Sequence, residues 1–84
     1  MARVARAMDL AAVRGLVQSL KEAAVSGNGR VQRATADGIG RYGDLAKPLL
    51  EQEITLAGDE RVRTALAEAL DEILQKERIG EEAK

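Results

Sequence analysis

One pattern occurs twice in this chain, 31 residues apart. Arg30-Val31-x-x-Ala34-x-Ala36-x-x-Ile39 returns as Arg61-Val62-x-x-Ala65-x-Ala67-x-x-Leu70, and Asp37 meets Glu68 at the same offset. Asp9-Leu10-Ala11 and Asp44-Leu45-Ala46 also begin alike, and each leads into a leucine-rich stretch. Self-similarity at a period near 31 residues is the mark of stacked helical units, each too small to cover its own apolar face. With only 84 residues, folding hides about 60% of the chain's surface, so every unit depends on its neighbours.

The units read as helices. Ala, Leu, Glu, Arg and Lys dominate, and β-branched residues never alternate over a useful length. Val62, Ala65, Leu66, Ala69, Leu70, Ile73 and Leu74 form one stripe at i, i+3, i+4, i+7 spacing. Asp59 precedes it as an N-cap, and Glu72 with Lys76 makes an i, i+4 pair outside. Ala46, Leu49, Leu50, Ile54 and Ala57 give a second stripe, with Asp44 as its cap and Pro48 in the first turn. Val31, Ala34, Thr35 or Gly38, Ile39 and Tyr42 give a third. Gly38 and Gly40 inside it cost about 1 kcal/mol each against Ala, which points to a close approach by a neighbouring helix. Leu10, Val13, Leu16, Val17 and Leu20 face inward on the first long helix, which starts near Asp9. The predicted domain covers residues 1–84. It holds a partial helix or arm over 1–8, a B helix over 9–25, an A helix over 30–42, a B helix over 44–57, an A helix over 59–78 and a mobile tail over 79–84. Ser26-Gly27-Asn28-Gly29, Gly43-Asp44 and Ala57-Gly58-Asp59 are the turns.

The run Asn28-x-x-Val31-Gln32-x-Ala34-Thr35-Ala36-Asp37-Gly38-Ile39-Gly40-Arg41-Tyr42-Gly43-Asp44 resembles the short HEAT-like repeat of the phycobilin lyases. Asp59-x-x-Val62-Arg63-x-Ala65-Leu66-Ala67-Glu68-Ala69-Leu70 resembles the first helix of that repeat, and Asp9-x-x-Ala12-Val13-x-x-Leu16-x-x-x-Leu20 its second. The resemblance spans roughly residues 9–74. It departs at Gln32, where the family has Arg, at Gly38, where it has Ala, and in a truncated first A helix. The expected fold is therefore all-α, an α-α superhelix built as a HEAT-like stack of helical hairpins with about four to five helices. The resemblance further implies that Arg63 reaches Asp44 of the neighbouring repeat.

Little in the chain suits catalysis. There is no His and no Cys, so the commonest metal ligands and the usual base near neutral pH are missing. Glu51 and Glu53 point to different helix faces; Glu68, Asp71 and Glu72 share one, which reads most simply as a solvated face. Gly27-x-Gly29 and Gly38-x-Gly40 have no strand before them, as a nucleotide loop requires. No apolar run is long enough to span a membrane and no signal-peptide core follows the basic start. The expectation is a cytoplasmic protein that is not an enzyme and carries no cofactor and no metal.

Charge is uneven: residues 1–42 sum to +4 and residues 43–84 to −5. Such a split suits head-to-tail association or an acidic partner. Nucleic acid is the weaker partner, because Asp9, Asp37 and the acidic half oppose the arginines (Arg3, Arg6, Arg14, Arg30, Arg33, Arg41) and no aromatic platform exists for bases. In HEAT-type stacks the B helices line the face that takes a protein partner. That places the candidate partner-binding residues at Arg14, Gln18 and Lys21 on the first B helix and Lys47, Glu51 and Thr55 on the second. The expected function is a non-catalytic protein-interaction or scaffold module, binding another protein or itself. The alternatives are a nucleic-acid accessory protein that uses the Arg-rich half and an adaptor subunit of a lyase-type enzyme.

Overall fold

A computed structural model describes the backbone over residues 2–82 and the side chains over residues 8–79. The described chain is all-α. Helix α1 is Ala2–Ser26, α2 is Gly29–Gly40, α3 is Lys47–Leu56 and α4 is Glu60–Glu82, with a single 3-10 turn at Gly43–Leu45 before α3. None of these helices is long and apolar enough to cross a membrane.

Four boundaries differ from the sequence expectation. Residues 2–8, expected either as a short separate helix or as a continuation of the first long one, are the first part of α1; residue 1 lies outside the described residues. Ala-Arg-Val-Ala-Arg-Ala-Met holds strong helix formers and no breaker, so Asp9 lies inside the helix. The segment expected over 44–57 splits, because Asp44 sits in the 3-10 turn and α3 starts at Lys47 with Pro48 in its first turn. Asp44 makes no cap; its carboxylate instead meets Lys47 at 3.2 Å. Helix α2 ends at Gly40, before the expected Tyr42. The expected tail from 79 is helical to Glu82, since one Gly80 among helix formers does not stop α4; residues 83 and 84 lie outside the described residues.

Caps set the hairpins. Gly27 closes α1 with φ +74°, and the Asn28 amide donates to the Ala23 carbonyl at 2.9 Å, a bond reaching five residues back that the left-handed glycine permits. Asn28 then opens α2 by accepting the Val31 amide at 3.2 Å. Two residues therefore reverse the chain, and α1 and α2 pack antiparallel. Gly38 meets Leu16 there: a Cβ at position 38 would stand 3.2 Å from both Leu16 methyl carbons. The expected close approach at this glycine is found. The Ala57-Gly58-Asp59 turn makes α3 and α4 antiparallel in the same way, with Lys47 at one end against Glu77 at 2.9 Å.

Helices α1 and α4 form the central pair, antiparallel, with Arg61 Nη1 donating to the Val25 carbonyl at 3.1 Å. On one flank α2 lies parallel to α4, Gln32 beside Thr64 and Gly40 beside Lys76. On the other flank α3 lies parallel to α1, tied by Lys21 and Glu53 at 3.4 Å. Helices α2 and α3 share no extensive contact, whereas a hairpin of one HEAT-type repeat places its A and B helices together. The core is Val13, Val17, Leu20 and Ala24 from α1, Ile39 from α2, Ala46 just before α3, Leu50 from α3, and Val62, Ala65, Leu66, Ala69 and Ile73 from α4.

The repeated positions do not share surroundings. Val62 and Ala65 are buried, yet Val31 is 40% exposed and Ala34 is exposed as well. Of the stripe expected on α2, only Ile39 is fully buried, with Thr35, Gly38 and Tyr42 half-buried. Two further pairings differ. Arg63 donates to the Ala57 carbonyl at 2.8 Å and lies 3.7 Å from Glu60 instead of reaching Asp44. Lys76 turns toward Gly40, so the pair expected with Glu72 is not formed; on the outer face Gln75 donates to Asp71 at 2.9 Å.

Candidate functional site

Helix α3 packs on α4 and makes no extensive contact with α1, which leaves a groove between α1 and α3. Arg14, Val17 and Gln18 line it from α1, and Leu49, Gln52, Glu53 and Leu56 from α3, enclosing about 300 Å³. Both sets have helical spacing: 14, 17, 18 on one side and 49, 52, 53, 56 on the other. Successive turns of two parallel helices therefore face each other across the gap.

Val17 is the buried floor, Leu49 is half-buried, and Leu56 stands 70% exposed at one end. The rim is polar. Lys21 and Glu53 bridge the two helices, each side chain about a third exposed. A bridge of that exposure adds well under about 1 kcal/mol to stability; its clearer effect is to fix the spacing of α1 and α3. One turn beyond it on α1 stands Val25, 48% exposed.

Three of the residues expected to bind a partner come together here: Arg14 and Gln18 line the groove and Lys21 spans it. The other three do not. Lys47 lies on the opposite side of α3, held between Glu77 and Asp44, whose carboxylates raise its ammonium above the usual lysine range. Glu51 is exposed on that side as well, and Thr55 turns its hydroxyl back to the Glu51 carbonyl at 3.0 Å. The reason is rotation: at 100° per residue, 47, 51 and 55 form one row, while 49, 52, 53 and 56 form the row that faces α1. Leu49 was expected in the core, and Leu56 carried no expectation; a leucine at the very end of α3, six residues past the buried Leu50, was the available signal.

The two charge halves meet at the surface. Arg33 shares a recess between α2 and α4 with Glu68 and Glu72, and Lys21 meets Glu53. Among the described residues no three acidic groups converge as metal ligands do.

No family model matches this sequence, and neither a curated protein nor a solved structure proved similar to it.

Proposed function

We propose that this chain is a non-catalytic protein-binding module that works through the α1/α3 groove. The observation that carries the reading is the combination in one place of a buried apolar floor at Val17, an exposed Leu56 and polar groups on both rims. An apolar centre with a polar border is how protein interfaces are built. Both walls are helices fixed by the Lys21–Glu53 bridge and by the core beneath, so little side-chain freedom is lost when a partner arrives.

The test is site-specific photo-cross-linking in the source cells. A photoreactive side chain at Gln52, in the groove, is expected to capture protein. The same group at Asp71, on the outer face of α4, is expected to capture none. Equal labelling from both positions, or none from Gln52, would overturn the reading.

A further inference from the structure

We propose that the protein seated in this groove is a second copy of the same chain, forming a two-fold dimer; this rests on the groove's being the binding surface.

Self-complementarity argues for the identity of the partner. The groove has an exposed knob, Leu56, at one end and is lined by Leu49 and Arg14 toward the other. A two-fold axis through its middle, near Gln18, puts each Leu56 over the Leu49 end of the other copy's groove. The charges agree with that axis. Arg14, Gln18 and Glu22 stand one turn apart in a single exposed row on α1. Neither Arg14 nor Glu22 takes part in an ion pair among the described residues. Antiparallel contact of two such rows, centred on Gln18, sets Arg14 of one copy against Glu22 of the other, twice. The same arrangement offers no like-charge contact along the row.

Light scattering after size exclusion, at micromolar to submillimolar concentration, measures the mass directly. The intact chain is expected at twice 9.0 kDa. Leu56→Glu is expected to return it to monomer with an unchanged helical spectrum, because Leu56 supports little of the core. Arg14→Glu is expected to weaken association roughly tenfold or more by setting like charges together, and Arg14→Glu with Glu22→Arg to restore it. The chain has no cysteine, so Gln18→Cys supplies a unique thiol that is expected to cross-link to itself under mild oxidation. A monomer at every concentration would overturn the dimer, as would a dimer indifferent to both Leu56→Glu and Arg14→Glu. A monomer whose Gln52 probe still captures a different protein would overturn the second copy alone and leave the groove reading standing.

Discussion

Helices α2 and α4 bear one residue pattern and occupy two different environments. Helix α4 has α1, α2 and α3 around it and buries Val62, Ala65, Leu66, Ala69 and Ile73. Helix α2 packs along α1 and α4 only and fully buries Ile39 alone. The starts differ too. Arg61 ties the first turn of α4 to the end of α1 through the Val25 carbonyl, a bond with no match at its counterpart Arg30 among the described residues. The pattern sets which residues share a stripe. How many neighbours the stripe finds is set by where the helix falls in the bundle, and stability follows the neighbours.

The largest test of that difference is a pair of alanine substitutions at matched positions. Leu66 is fully buried, so Leu66→Ala is expected to cost about 2–5 kcal/mol in urea unfolding followed by helical signal. Its counterpart on α2 is Thr35, whose hydroxyl only bonds back to the Val31 and Gln32 carbonyls. Thr35→Ala is expected within about 0.5 kcal/mol of the parent. The pair Val62→Ala and Val31→Ala makes the comparison with one chemistry. About 1–3 kcal/mol is expected for the buried valine and under about 0.5 for the exposed one. Equal losses would mean that α2 is as enclosed as α4.

A smaller effect, of opposite sign, concerns the glycines of α2. Gly40→Ala adds a Cβ that meets only the flexible Lys76 ammonium end at 3.4 Å. It is expected to stabilise by about 0.5–1 kcal/mol through helix propensity. Gly38→Ala meets the Leu16 methyls at 3.2 Å, so Leu16 must shift and the gain is expected to be smaller. Position 69 of α4, which corresponds to Gly38, already carries a buried alanine. A larger gain at 38 than at 40 would show that the close α1/α2 approach is loose.

Much of this was legible in the residues. Stripes at helical spacing located all four helices, and Val13, Val17, Leu20, Leu50 and Leu66 fell in the core where their spacing put them. The cost of a mid-helix glycine located the α1/α2 contact at Gly38. Half of the groove was legible as well, since Arg14, Gln18 and Lys21 form one row on one helix. The α3 half was not. Its ten residues have apolar side chains around much of their circumference, Leu49, Leu50, Ile54 and Leu56 among them. Periodicity therefore does not settle which side faces α4 and which faces α1. Packing puts Leu49, Gln52, Glu53 and Leu56 toward α1 and Lys47 toward Glu77 of α4. Long-range ion pairs were illegible for a related reason: Arg63 found a carbonyl six residues away before any distant carboxylate.

The smallest predicted effect separates the two helix starts by pH. Asn28 caps α2 with an amide that does not titrate. Asp59 caps α4 with a carboxylate that accepts the Arg61 amide at 2.8 Å and the Arg61 guanidinium at 2.9 Å. The Arg61 side chain foremost, then its amide, holds the Asp59 carboxyl at about 2, below its ordinary value of 3.8. A carboxyl whose folded pKa is depressed releases its proton more readily in the folded chain. Its stabilising contribution is therefore complete above about pH 4 and fades as pH falls through about 2. Asp59→Asn keeps an N-cap acceptor and removes the charge. Its thermal midpoint is expected below the parent's at pH 6, with the gap closing between pH 4 and pH 2. Added salt at pH 6 is expected to narrow the gap as well, because the pair is exposed and screened. A gap that persists unchanged to pH 2 would mean that the α4 cap works by geometry alone, as the Asn28 cap of α2 does.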